Sequence, residues 1–133
     1  MDPVFNLEVN GSFAASTKAF VIDHKDLPGK RLVHATLEGP EHAVFVRGRS
    51  NTLVIDFPDY WPWLVDETTI TVHLTPIGSP ATYYIEKIKD NKAYIAVDYK
   101  KSFFKRLFSQ PKIDFYYMIN AERKDVDKLQ TVI

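Results

Sequence analysis

Apolar residues recur at every second position in short runs along this 133-residue chain, the period of strands with one buried face. Thr69-Ile70-Thr71-Val72-His73-Leu74-Thr75-Pro76-Ile77 alternates most clearly and is broken by Pro76 and Gly78. Ala19-Phe20-Val21-Ile22 is a compact apolar run that ends at Asp23-His24-Lys25-Asp26, before Pro28-Gly29 turns the chain. Arg31 to Leu37 alternates, with Leu32, His34 and Thr36 on one face and Val33, Ala35 and Leu37 on the other, until Gly39-Pro40. Val44 to Arg47 and Leu53 to Phe57 flank Gly48-Arg49-Ser50-Asn51, a connection of hairpin length, so these two strands are expected to pair. Tyr83 to Ile88 and Ala93 to Val97 flank Lys89-Asp90-Asn91-Lys92, a second hairpin signal, and Ile113 to Ile119 is the last strand.

Three stretches depart from this rhythm. Pro58-Asp59-Tyr60-Trp61-Pro62-Trp63-Leu64-Val65 has prolines that would remove ladder donors from a strand, so a single helical turn starting at Pro58 or Asp59 is expected. Leu7, Val9 and Phe13 flank Asn10-Gly11, which reads as two very short extended pieces, either a docked hairpin or the end of an interwound shaft. Tyr99 to Phe108 reads as a short amphipathic helix or a long exposed loop. Closely spaced strands without long amphipathic helices between them predict an all-β fold, an antiparallel sandwich or rolled sheet with at most one or two short helical turns.

Composition narrows the function. The length fits one domain. Lys plus Arg and Asp plus Glu each total 17, which gives no net field for holding a polyanion and disfavours generic nucleic-acid binding. There is no cysteine, hence no disulfide, thiolate nucleophile or thiolate metal site. No stretch approaches the roughly 20 apolar residues of a membrane helix, and Met1 to Glu8 lacks the basic start and apolar run of a signal peptide. A soluble protein without membrane insertion is expected, and Met1-Asp2-Pro3 suits the start of a piece cut from a longer polypeptide.

Candidate chemistry is sparse. His24, His34, Glu38, Glu41 and His42 offer nitrogen and oxygen ligands, but their spacing matches no compact metal motif. Glu38 and Glu41 are expected instead around the Gly39-Pro40 turn, perturbed by burial and accepting bonds from backbone amides or from Arg47 and Arg49. Ser16, Asp23 and His24 supply triad residue types without a nucleophile elbow. The pairs Asp56 with Asp59 and Asp66 with Glu67 could serve a glycosidase only at a defined separation, and near turns such groups are caps or solvated charges. No catalytic residue, cofactor or metal is therefore expected.

Five strings in order carry a resemblance. They are Ser16 to His24, Leu37 to Gly48, Pro58-Asp59-Tyr60-Trp61, Ile70 to Gly78, and Ala121-Glu122-Arg123-Lys124-Asp125. Together they resemble a C-terminal module of tail-fibre and other virion structural proteins of tailed bacteriophages, including marine T4-like phages, and of related prophage proteins. Similar proteins usually have Pro after the histidine of the first string, where this chain has Lys25, which bears on the loop geometry there. Residues 1–12 are expected to be a shaft end or an added segment, and 13–133 a single β-rich head domain. The resemblance implies a homotrimer carried on an upstream fibre shaft in the virion. It implies a non-enzymatic role in trimerisation, shaft capping and attachment to a host-cell surface glycan or protein. A fibre-maturation module (intramolecular chaperone or autoprotease) and a capsid or neck decoration domain are the alternatives. The usual Ser-Asp and Lys-Glu-Asn signature of self-cleaving fibre chaperones is not evident.

Receptor or subunit contacts are sought where flat or charged groups gather. Tyr60, Trp61 and Trp63 could stack on a sugar or a partner. For Trp61 a core plug is favoured, while Trp63 stays divided between core and subunit interface. Lys100, Lys101 and Lys105 around Phe103 and Phe104 form a basic, aromatic patch suited to a variable recognition surface.

Overall fold

The computed structural model describes residues 9–12, 18–98, 112–129 and 131–132. Eight strands fold in the order β1 (Ala19–Asp23), β2 (Arg31–Ala35), β3 (Ala43–Ser50), β4 (Val54–Asp56), β5 (Thr71–Pro76), β6 (Thr82–Lys89), β7 (Lys92–Asp98) and β8 (Phe115–Glu122). Between β4 and β5 lie one helical turn, α1 (Trp61–Leu64), and a 3₁₀ turn, Glu67–Thr69. All described pairings are antiparallel: a β1-β2 hairpin, a β3-β8-β5 sheet and a β4-β7-β6 sheet. The fold is all-β and sandwich-like, as the alternation predicts.

Inward residues of the two larger sheets meet in one core. Val44 from β3 and Phe115, Ile119 and Ala121 from β8 join Ile55 from β4 and Ala93 and Ile95 from β7. Phe57, Trp61, Leu64 and Val65 close one end, and Leu32 brings the β1-β2 hairpin onto the same cluster. Each large apolar side chain so buried contributes about 1.5–3 kcal/mol.

The β6-β7 hairpin forms as predicted. Asp90 and Asn91 have φ of 54° and 58°, the left-handed pair a two-residue turn needs to match strand twist. A register shift between Ile85 and Lys87 accommodates an extra residue and keeps both Ile85 and Ile88 on the inner face.

The expected pairing of the third and fourth strands does not occur. β3 runs on through Gly48 to Ser50 and pairs with β8, while β4 pairs with β7 in the other sheet. Residues 51–53 are thus a crossing between layers, and Ser50 holds the bend through bonds with Thr52. Gly48 is not a turn residue at all. It stands opposite Tyr117, whose ring fills the space above it.

The proline-rich segment is a helical turn, as expected, although its first residue is Trp61 and its cap Tyr60, with Pro62 in the first turn where a missing N–H is harmless. This segment clasps both sheets. The Asn91 side chain donates to the carbonyls of Phe57 and Pro58 at 3.2 and 3.0 Å, tying it to the β6-β7 turn. At its other end, Asp66 N–H donates to the Glu122 carbonyl at 2.9 Å and Lys124 N–H to that of Leu64 at 2.9 Å.

Candidate functional site

Two surfaces collect chemistry, and the first contains the predicted aromatic residues. β1 and β2 turn Phe20 and His34 inward as stacked rings 5.1 Å apart. The His34 Nε2 lies 2.8 Å from the Tyr60 hydroxyl, and the Tyr60 ring sits 6.4 Å from Trp63. His24 meets Trp63 edge-on at 5.8 Å, Lys25 Nζ stands 5.2 Å from the Trp63 ring centre, and Trp63 Nε1 donates to Asp26 at 3.0 Å. Beneath them the Arg123 guanidinium lies 4.0 Å from the Phe20 ring centre and donates twice to the Asp125 carboxylate, at 2.9 and 2.7 Å.

His34, Tyr60, Trp63, Arg123 and Asp125 each have a hydrogen-bonding partner here, whereas the Trp61 Nε1 is buried without one among the described residues. Burial, and secondarily the Arg123 charge, lowers the His34 pKa; burial raises that of Tyr60. Arg123 in turn holds the Asp125 carboxyl below its ordinary value. The arrangement fixes the hairpin to the body.

The predicted contacts divide accordingly. Trp61 is 1% exposed, a core plug, and offers no face to a receptor. Tyr60 and Trp63 are half-buried between the β1-β2 loop and α1. Lys100, Lys101, Phe103, Phe104 and Lys105 lie outside the described residues, as does Ser16.

The acidic residues also separate. Glu38 is exposed and pairs with Lys18, which lowers its pKa, and Arg49 pairs with Asp114, so neither the expected burial nor an Arg47–Arg49 network forms around the Gly39-Pro40 turn. Asp56 pairs with Lys92, while Asp66 caps the 3₁₀ turn by accepting from Thr68 N–H at 3.0 Å. Among the described residues no group of three or more His, Asp or Glu side chains could hold a metal.

The second surface was not anticipated. It is the outer face of the β3-β8-β5 sheet, and register assembles it from three distant stretches. Arg47, Met118 and His73 form one row across the strands; Arg49, Tyr116 and Thr75 form the next; Phe45, Asn120 and Thr71 the third. Residues directly opposite on antiparallel strands have Cβ atoms about 4.5–5.5 Å apart, so each row is a contiguous strip. Tyr116 is 54% exposed, Phe45 41% and Met118 39%.

A shallow groove of about 510 Å³ runs along the first two rows. Arg49 donates to both Asp114 oxygens, at 2.7 and 2.5 Å, through Nε and one Nη, and its guanidinium carbon lies 5.9 Å from the Tyr116 ring centre. Its other Nη faces no acceptor among the described residues. Arg47 has no carboxylate partner among them either. The alternation of Phe45, Arg47 and Arg49 hinted at one shared face, but not at its neighbours 71–76 and 115–122. Compared with protein-family models, curated proteins and solved structures, the chain has no significant match.

Proposed function

We propose that this chain is a non-enzymatic structural domain of a phage virion, the C-terminal head of a tail fibre, which assembles as a homotrimer and presents attachment surfaces to a host cell. The five ordered strings support the family reading, and the observation that carries assembly is the outer face of the β1-β2 hairpin. Its cross-strand pairs are Ala19 with Ala35, Val21 with Val33 and, at the turn end, Asp23 with Arg31, and both valines are exposed, at 47% and 58%. A hairpin with one apolar face on the body and a second left in water presents surface that a sister copy would remove from it. Three copies on a stiff shaft engage a cell surface together, so weak single sites gain avidity.

Light scattering on the chain joined to its upstream shaft tests this. The expected mass is three chains, and Val33→Lys is expected to return monomers with unchanged circular dichroism, because Val33 faces away from the core. A wild-type monomer at every concentration overturns the reading. Mass spectrometry of an intact precursor addresses the maturation alternative: a discrete cut beside residue 13 would favour a module that cleaves its fibre over one that caps it.

A further inference from the structure

We infer that the outer face of the β3-β8-β5 sheet is a binding site for an acidic polysaccharide; this rests on the reading of the domain as an attachment head. The face has three chemical parts in fixed register. Tyr116 supplies a flat ring for the apolar face of a sugar. Arg47 and the remaining Nη of Arg49, both on β3, supply donors for a carboxylate, sulfate or phosphate along one bank. Thr75 and His73 line the opposite bank with hydrogen-bonding groups.

Charge decides what kind of partner fits. Strands β3, β5 and β8 turn Phe45, Arg47, Arg49, Thr71, His73, Thr75, Tyr116, Met118 and Asn120 outward, and none of these is acidic; Glu122, which the register puts at the end of the same face opposite Ala43, is 8% exposed and pairs with Lys128. Asp114, just before β8, is already occupied by Arg49. Two copies of this face packed on each other would bury Arg47 against a surface whose carboxylates, Asp114 and Glu122, are already paired, which disfavours self-association here. The hairpin face, with its apolar Ala19–Ala35 and Val21–Val33 pairs and an Asp23–Arg31 pair of opposite charges at the turn end, is the better self-contact, so the two surfaces divide assembly from ligand binding. A groove that is shallow and open along the rows suits a chain that passes through it rather than a small molecule enclosed by it.

The test is NMR titration of the ¹⁵N-labelled full chain with an oligogalacturonate, a heparin oligosaccharide and a neutral dextran oligosaccharide, with single-stranded DNA as a further polyanion. The acidic sugars are expected to shift amides in 45–49, 71–75 and 116–120, more weakly as salt rises. Arg47→Gln should weaken binding at least about tenfold, the scale of one charge-assisted hydrogen bond, without changing the melting temperature. Tyr116→Ser should weaken the sugars more than the DNA. Binding of neither acidic sugar, equal binding of dextran, preference for DNA, or an Arg47→Gln variant that binds as wild type overturns the inference. Light scattering on the same samples keeps the two readings apart. A trimer indifferent to acidic sugars defeats this site alone, whereas a monomer that binds them defeats the fibre-head reading and leaves the site standing.

Discussion

The Tyr117 phenol occupies the space in which a side chain at Gly48 would stand. A Cβ at Gly48 would fall 2.5 Å from the Tyr117 hydroxyl oxygen and 2.7 Å from Cζ, closer than non-bonded atoms come. The two residues face each other across β3 and β8, and Tyr117 packs against the core. Gly48→Ala is therefore expected to destabilise the domain by about 1–3 kcal/mol, the cost of forcing an extra methyl into a packed site. Urea denaturation checks it. In a double-mutant cycle, Gly48→Ala combined with Tyr117→Ala should cost less than the sum of the two single changes, because removing the ring frees the space. Additive costs would show that the ring and the glycine are independent.

That pair also explains what the sequence concealed. Gly48-Arg49-Ser50-Asn51 has the composition of a turn, and nothing local distinguishes a glycine that bends the chain from one that makes room for a ring 69 residues away. Apolar runs marked the strands, and alternation from Arg31 put Leu32 and His34 on one face, which proves to be the inner one, because burial acts residue by residue. Partner choice depends on which strands meet across the sandwich, and the β3-β8-β5 order joins segments that are not neighbours in sequence. The cationic outer face is a product of that order, so no contiguous stretch of the chain carries it.

His34 gives the domain a specific dependence on pH. Burial and Arg123 lower its folded pKa below the ordinary value near 6.5, so the unfolded chain takes up a proton that the folded chain resists. Its contribution is fully present above pH 6.5 and declines as pH falls from there towards the folded pKa. Phe20 stacks on its ring, the Tyr60 hydroxyl lies within hydrogen-bonding distance of it and the Arg123 charge acts on it. The readout is the difference between wild type and His34→Gln in urea midpoints at pH 7.5, 6.5 and 5.5. The variant should lose part of the fall, whereas parallel curves would remove His34 from the account. Asp114 and Asp125, whose pKa values are lowered by Arg49 and Arg123, contribute stability above the ordinary aspartate range and lose it only at more acid pH, so the two windows separate.

The Arg123–Asp125 pair is expected to matter more than the surface ion pairs. Both side chains are nearly buried, at 10% and 12% exposure, and Arg123 also packs on Phe20. Asp125→Asn leaves a guanidinium in that setting without its countercharge, at a cost of about 3 kcal/mol. Breaking the exposed Lys89–Asp90 contact with Lys89→Ala should change stability by less than about 0.5 kcal/mol. Thermal denaturation of both variants at neutral pH would rank them, and equal effects would mean that the guanidinium finds water or another acceptor when Asp125 is changed.

Turn chemistry alone would recommend glycine at position 91, because the second residue of this tight turn has φ of 58° and asparagine followed by glycine is the favoured pair there. The structure predicts the opposite result. The Asn91 amide donates to two carbonyls, those of Phe57 and Pro58, and this is the clasp between the β6-β7 turn and the segment that plugs the core. Asn91→Gly relieves the backbone but leaves two partly buried acceptors without their donor, at about 0.5–1.5 kcal/mol for each bond lost. The net effect should be destabilising, with the Phe57 and Pro58 region losing hydrogen-exchange protection first. Asp90→Asn should be neutral or stabilising by about 0.5 kcal/mol, since the Asp90 carboxylate makes a long surface contact to Lys89 and asparagine tolerates the left-handed region well. If Asn91→Gly instead raised the melting temperature, turn preference would outweigh the clasp, and the plug would have to be held by its apolar contacts and its ties to β8.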